Sequence, residues 1–337
     1  MSPILDQKVG PVHTMIIESN VLIVSIALLI FAFVATYIIL PWLTLALKRA
    51  GITGKDLHKK GTPEVPNMGG IGIFVGFASA MTLSAVLGLD YRLLFAIFLS
   101  GTLALLAGLI DDLFKLGKLT LVIVTFLVAL PVVSFHAGST EIYSTPFGPL
   151  DLGWVFWALV PFAFAFLMNG VNVYAGFNGL EAGVGVVSTL SLGICALFYG
   201  SIESTVALFA LSGGLLAFLK WNWYPARVFI GGSGTYLLGA VLASSIIAGT
   251  IKVVGIIALF PYLINFLLRA NDRFTWTVGD TLPDGLVTSD KRHALWAIFM
   301  HKSPVKEQRV VLYCILIQIV FGFTAVAFAY YQNFITH

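Results

Sequence analysis

Asn169-Gly-Val-Asn-Val-Tyr-Ala-Gly-Phe-Asn-Gly-Leu-Glu181 sets three asparagines and a glutamate between two apolar runs long enough to cross a bilayer. Carboxamides at a membrane boundary cost free energy unless something binds them, so the break reads as a polar site. An ordinary inter-helix turn is the alternative. Asn169 and Asn172, three apart, share a helix face. Gly176 and Gly179 let the backbone turn and come close to a ligand.

The runs on either side of this break are typical of the whole chain. Its 337 residues are 58% hydrophobic and 10% charged, with a mean hydropathy of +0.96. That composition excludes an ordinary soluble domain and fits a polytopic membrane protein. A span needs about 20 mostly apolar residues. The candidates are 21–46, 69–88, 92–110, 119–135, 154–171, 180–199, 203–219, 234–250, 253–269 and 311–334. Such long, continuous runs are not the strands of a transmembrane barrel. The expectation is an all-α bundle of about ten transmembrane helices forming a single membrane domain over 1–337.

Alternating the loops of that bundle sorts the 19 Lys and Arg residues sharply. Lys8, Arg92 and Lys252 fall on one side and all the others on the opposite side. The positive-inside rule makes the basic side cytoplasmic and puts both termini outside. The first apolar run begins near residue 21 behind a mixed-charge segment, so no cleavable signal peptide is expected. Cys195 and Cys314 both lie in spans, which argues against a disulfide. The net charge of +3 gives no reason to expect nucleic acid as a partner.

The chemistry gathers on the same basic side. Asp111 and Asp112 end the third span, with Lys115 and Lys118 close behind. Adjacent carboxylates at a helix end repel each other unless a proton or cation relieves them, and Mg²⁺ is a natural partner. A solvated pair marking the membrane boundary is the bland alternative. Polar loops converging on one membrane face suggest a phosphorylated, partly lipidic substrate. The run Ala294-Leu-Trp-Ala-Ile-Phe-Met300 is too short to span and reads as an interfacial helix. A helix packed on the bundle is the alternative.

From about Lys59 to Val320 the chain resembles the polyprenyl-phosphate N-acetylhexosamine-1-phosphate transferases. The resemblance rests on Lys59-Lys-Gly-Thr-Pro63 with Pro66-Asn-Met-Gly-Gly-Ile71, and on Gly108-Leu-Ile-Asp-Asp-Leu113. It continues through 169–183, Pro225-Ala-Arg-Val-Phe-Ile-Gly231 and Asp290-Lys-Arg-His293. The form Ala175-Gly-Phe-Asn-Gly-Leu-Glu-Ala-Gly183 is nearer the archaeal and eukaryotic branch than the bacterial one.

The resemblance implies transfer of a sugar-1-phosphate from a UDP-sugar to a lipid phosphate at the cytoplasmic face, with release of UMP. UDP-GlcNAc and a dolichyl-type phosphate are the implied substrates. Mg²⁺ is the implied cofactor, with Mn²⁺ as an alternative. Asp111 and Asp112 match the pair that positions or deprotonates the lipid phosphate and organises the metal, and Lys118 matches a lysine that neutralises pyrophosphate. Asn172 matches an asparagine near the metal, and Asn178 one near the nucleotide. Arg292 and His293 lie where the family contacts the diphosphate. Lys60, Asn169, Glu181 and Arg227 belong to the same motifs and are expected to bind substrate. The 269–310 loop is the expected sugar-specificity element. The resemblance also implies a membrane location of archaeal type and is compatible with a homodimer.

The chain departs from the family pattern at two places. Gly232 occupies the position of an aspartate that is a principal metal ligand in the family. Losing an anionic ligand should cost a hard-cation site several kcal/mol. After Asp290-Lys-Arg-His293 the family's further histidines are missing. A disabled enzyme, an enzyme holding metal through Asp111, Asp112 and Asn172, and a homologue that binds without turnover all remain open. A secondary transporter is the rival class, although the spans carry essentially no ionisable residues away from their ends.

Overall fold

The computed structural model describes residues 11–87, 91–143, 148–275 and 277–336. The side chains of 11–19, Tyr91, Lys118 and 334–336 lie outside that description. The helices are α1 Pro11–Arg49, α2 Gly70–Val86, α3 Tyr91–Phe114, α4 Lys118–Val128, α5 Leu130–Ser134, α6 Trp154–Tyr174 and α7 Leu180–Phe198. They continue as α8 Ile202–Asn222, α9 Gly231–Ala248, α10 Lys252–Ala258, α11 Phe260–Asn271, α12 Leu295–Met300 and α13 Glu307–Thr336. Three small antiparallel hairpins pair β1 Thr53–Lys55 with β2 Glu64–Pro66, β3 Glu141–Ile142 with β4 Leu150–Asp151, and β5 Asp280–Thr281 with β6 Val287–Thr288.

Among the described residues, α1, α3, α6, α7, α8, α9 and α13 are each long and apolar enough to cross a membrane. α10 and α11 pass only as a pair, bent by 61°. α2 and the α4–α5 pair are shorter apolar helices. The ten apolar runs of the sequence therefore correspond to these elements, but two are broken where a straight helix was expected. Proline explains both breaks. Pro131 opens α5 and Pro261 opens α11, where a missing N–H is harmless and the preceding helix cannot continue.

Apolar side chains stand exposed around the periphery, including Ile38 and Trp42 on α1, Phe162 on α6 and Phe323 on α13. In water this would be a large sticky surface, whereas in lipid it is matched. The architecture is that of an integral multi-pass membrane protein.

α9 forms the axis of the bundle. Its apolar window is 94% buried, and it packs on α2, α3, α6 and α8. The close approach is written in small residues, Gly-Gly-Ser-Gly at its start and Ala and Ser further on. A Cβ on Gly70 of α2 would lie 2.2 Å from the Gly234 nitrogen, and one on Gly108 of α3 would lie 2.4 Å from the Gly232 carbonyl oxygen. These contacts set the polar end of α3 directly against the first turn of α9. Gly108→Ala should force the two backbones apart and lower the thermal midpoint in detergent, in line with the ~1–3 kcal/mol typical of overpacking. An unchanged midpoint would show that the contact yields.

α12 is a packed helix, not an interfacial one. Trp296 has no exposed surface, and Leu295, Ala297 and Met300 are buried with it. The indole meets Phe177 and His293 edge-on, with ring centroids 5.0 Å away in each case.

Candidate active site

At the end of the bundle where α3 and α6 finish and α9 begins, a cavity of about 520 Å³ opens. Asp56, His58, Asp111, Asp112, Asn172 and Glu181 are among its lining residues. An apolar cavity of about 390 Å³ lies between α6, α9 and α10–α11, with Lys252 as its one charged lining residue. Chemistry on a phosphate requires charge and hydrogen-bonding groups, so the polar cavity is the candidate site.

Asp112 is held by the helix it faces. Its Oδ1 accepts from the Gly232 N–H at 2.9 Å and its Oδ2 from the Ser233 N–H at 3.1 Å. The carboxylate thus caps the start of α9, where free N–H groups and the helix dipole favour an anion. Gly231 makes this fit possible. Its φ is +72°, and a Cβ there would meet Asp112 Oδ2 at 2.6 Å. Asp111 accepts from the Leu116 N–H at 3.0 Å, which folds the chain back after α3. On the opposite wall, Asn172 Oδ1 accepts from the Thr235 hydroxyl at 2.9 Å and joins α6 to α9.

Gly232 lines the cavity beside this group. Its φ is outside the left-handed range. A Cβ there would lie 3.3 Å from Asp112 Oδ1 and 3.6 Å from Asp111 Oδ2. A side chain at 232 is therefore sterically admissible, given small adjustments, and would stand beside both carboxylates. Among the described residues, no three Asp, Glu, His or Cys side chains form a group suited to a metal ion. Two carboxylates and a carboxamide oxygen still suit a hard divalent cation in kind, because such ions take oxygen ligands and Mg²⁺ keeps several waters.

The sequence model of glycosyl transferase family 4 matches residues 94–250. A provisionally named UDP-N-acetylglucosamine–dolichyl-phosphate N-acetylglucosaminephosphotransferase of Saccharolobus solfataricus is 32% identical over 305 residues, covering 88% of this chain and 94% of the relative. The chain belongs to the polyprenyl-phosphate N-acetylhexosamine-1-phosphate transferases. A family member of Sulfolobus acidocaldarius, with the same provisional name, is 32% identical over 314 residues, 89% of this chain and 94% of its own. The UDP-N-acetylglucosamine–dolichyl-phosphate N-acetylglucosaminephosphotransferase of Schizosaccharomyces pombe is 25% identical over 303 residues, 75% of this chain and 68% of its own. Membership in this transferase family displaces the transporter reading.

Lys118 apart, the positions that match the family's motifs divide into three sets. Asp111, Asp112, Asn172, Asn178, Glu181 and Gly232 all line the main cavity. Within it, Glu181 accepts from the Gly176 N–H at 3.3 Å, while Asn178 is buried and its Nδ2 donates to Asp56 Oδ2 at 2.9 Å. Arg292 and His293 line a neighbouring cavity of about 480 Å³. His293 also borders a third of about 330 Å³, which shares Leu57 and Val278 with the main one. Lys60, Asn169 and Arg227 do not line the main cavity. Lys60 is exposed, Asn169 donates back to the Ala165 carbonyl on its own helix at 2.8 Å, and Arg227 lies over the Trp221 ring at 5.5 Å. Lys118 opens α4, but its side chain is outside the described residues.

The sequence reading missed Asp56, Thr235 and the supporting Glu307, while Lys115, noted beside the aspartate pair, does line the main cavity. Lone charges beside a strongly basic loop give little signal; Glu307 in the first turn of a helix was the one available cue.

His58 stacks on Phe177 with ring centroids 4.5 Å apart, and its Nε2–H donates to the Val278 carbonyl at 3.1 Å. Burial holds this imidazole below its ordinary pKa, outweighing the raising effects of Glu307, the Val278 carbonyl and Asp56; Lys59 also lowers it. Burial lowers His293 as well. A depressed folded-state pKa means that the unfolded chain binds protons first. The neutral imidazoles therefore contribute stability above about pH 6.5 that is lost as pH falls through the folded-state values. Thermal midpoints in detergent should drop on acidification, and His58→Gln should flatten that drop. An equal drop in parent and variant would remove His58 from the account.

Proposed function

We propose that this chain transfers N-acetylglucosamine-1-phosphate, or a related N-acetylhexosamine-1-phosphate, from its UDP-sugar to a dolichyl or other polyprenyl phosphate, releasing UMP. The observation carrying this reading is the Asp111–Asp112 pair, fixed against the N-terminus of α9 in a polar cavity of a membrane bundle. In the reaction an oxygen of the lipid phosphate bonds to the sugar-bearing phosphorus, and the bond from that phosphorus to the bridging oxygen of UMP breaks. Both partners are anions, so catalysis is mainly positioning and charge neutralisation.

In this reading Asp111 and Asp112 position the lipid phosphate or take its proton. Asp111, Asp112 and Asn172 would hold Mg²⁺, or Mn²⁺, which supplies charge neutralisation at the phosphates. The adjoining cavities at Arg292 and His293 suit the remainder of the nucleotide sugar. Asp272 Oδ2, His293 Nδ1 and His301 Nδ1, all on residues lining the first of these cavities, are buried without a hydrogen-bond partner among the described residues. Unsatisfied polar atoms of this kind favour a polar ligand.

The basic-residue asymmetry supports a cytoplasmic active site, ten spans and external termini, while the form of the 175–183 motif and the two archaeal relatives support a prokaryotic plasma membrane of archaeal type. The succession of apolar runs with no linker between them supports one membrane domain over 1–337, and the size of the 269–310 loop supports its role in sugar choice. A homodimer is part of the proposal by family resemblance alone.

Gly232 favours a second reading, in which the chain binds UDP-sugar and lipid phosphate without turnover. UMP release from UDP-GlcNAc and dolichyl phosphate, with and without Mg²⁺, separates the two. Metal-dependent release supports the transferase reading. UDP-GlcNAc binding without release supports the second.

A further inference from the structure

One wall of the main cavity is the loop between α6 and α7, where Ala175, Gly176, Phe177 and Asn178 face the space. A loop so rich in glycine and asparagine has little intrinsic reason to hold one conformation. What holds it is a buried charge network from elsewhere in the chain. Glu307 opens α13, and its side chain is 3% exposed. Its Oε1 accepts from the backbone N–H of Asn178 at 2.9 Å. Its Oε2 pairs with the Lys59 ammonium. Lys59 also pairs with Asp56 at 3.3 Å and lies over the Tyr224 ring at 4.1 Å. Asp56 Oδ2 in turn accepts from the Asn178 carboxamide at 2.9 Å. Asn178 is thus gripped at its backbone by one buried carboxylate and at its side chain by another. The next residue is fixed too, since the Gly179 N–H donates to Asn222 Oδ1 at 3.0 Å.

Two buried carboxylates and one ammonium make an expensive arrangement, because removing charges from water is repaid only by close pairing and full hydrogen bonding. A plain inter-helix turn needs no such device. Glu307 does not line the cavity itself, so any influence on ligand must pass through the loop.

We propose that Glu307 is a positioning residue for the substrate site: it sets the place of the 175–178 wall through the Asn178 N–H and orients Lys59 between itself and Asp56. The inference rests on the proposed binding of a UDP-sugar in this cavity. The role is mechanical, and it predicts that a neutral acceptor at 307 keeps much of the function.

The test compares the full-length parent with Glu307→Ala, Glu307→Gln and Glu307→Asp in detergent, using hydrogen–deuterium exchange and UDP-GlcNAc affinity by calorimetry. In Glu307→Ala, exchange of the peptide spanning 175–181 should speed up by about tenfold or more while α7 and α8 stay protected, as expected for a local opening. UDP-GlcNAc affinity should fall by about tenfold, and Glu307→Gln, which still accepts from Asn178, should recover to within about threefold of the parent. Unchanged exchange in Glu307→Ala overturns the positioning role whatever the ligand does. Faster exchange in a protein whose parent does not bind UDP-GlcNAc overturns the substrate reading while leaving the loop clamp standing. Equal losses in Ala and Gln overturn the mechanical account in favour of charge. If Glu307→Ala fails to fold, Glu307→Asp decides. It keeps the charge but withdraws it by one methylene, so a weaker affinity at an unchanged melting temperature supports positioning, and parental affinity overturns it.

Discussion

Gly232→Asp is expected to raise Mg²⁺-dependent UMP release by at least about tenfold, which is ~1.4 kcal/mol of added transition-state stabilisation. The first reason is geometric. A Cβ at 232 would stand 3.3 Å from Asp112 Oδ1 and 3.6 Å from Asp111 Oδ2, so a carboxylate there joins the existing pair. The second is electrostatic. Three clustered anions repel one another when empty, and a divalent cation relieves that repulsion. Without metal, Gly232→Asp should therefore melt at a lower temperature than the parent, and added Mg²⁺ should raise its midpoint more than the parent's. UMP release and melting report separately. A larger Mg²⁺ shift without a rise in turnover would place the cation in the cavity and the chemistry elsewhere. No change in either would remove position 232 from any metal site.

Asp112→Asn is expected to reduce turnover by about a hundredfold or more, the scale on which a site loses an essential electrostatic group. The parent's activity is the baseline, so the substitution is best made in both Gly232 and Gly232→Asp backgrounds. Asparagine is nearly isosteric, keeps an acceptor for the Gly232 N–H, and is itself a good helix cap. Its Nδ2 cannot accept from the Ser233 N–H, so Asp112→Asn should fold with a melting temperature modestly below the parent's. Asp112→Ala removes the cap as well and should lose a further ~0.5–2 kcal/mol of stability. The contrast separates Asp112 as the cap of α9 from Asp112 as a participant in the reaction. Full activity in Asp112→Asn would assign the residue to capping alone and transfer the chemical role to Asp111.

Much of the fold was readable in the chain because membrane spans are written in composition. Each apolar run between polar breaks became a helix or a broken pair. The breaks within 119–135 and 253–269 were also legible in principle, since Pro131 and Pro261 sit inside those runs. α12 was harder to read. Basic residues flank its short apolar run, and only tertiary packing shows that Trp296 turns inward.

The site divides along similar lines. Asp111, Asp112 and the asparagines stand out because charge and carboxamides are rare in such a chain. Which lysine of Lys59-Lys60 turns inward is not written locally. Lys59 finds Glu307 at a separation of 248 residues, and only the folded bundle brings them together. Asn169 and Arg227 show the converse. They sit within telling motifs, yet one side chain bonds to its own helix and the other rests on Trp221. Motif membership records ancestry, whereas contact with the cavity depends on where each backbone vector points.

The space beside Gly232 has a consequence for the protein's history. Many lost ligands are followed by repacking, as neighbouring side chains fill the gap and close the way back. Here the backbone at 232 keeps a conformation open to other residues, and both aspartates still face it. Every glycine codon lies a single base change from aspartate or glutamate. A lineage carrying this chain could therefore gain or lose a third carboxylate in one mutational step, with the rest of the scaffold already in place.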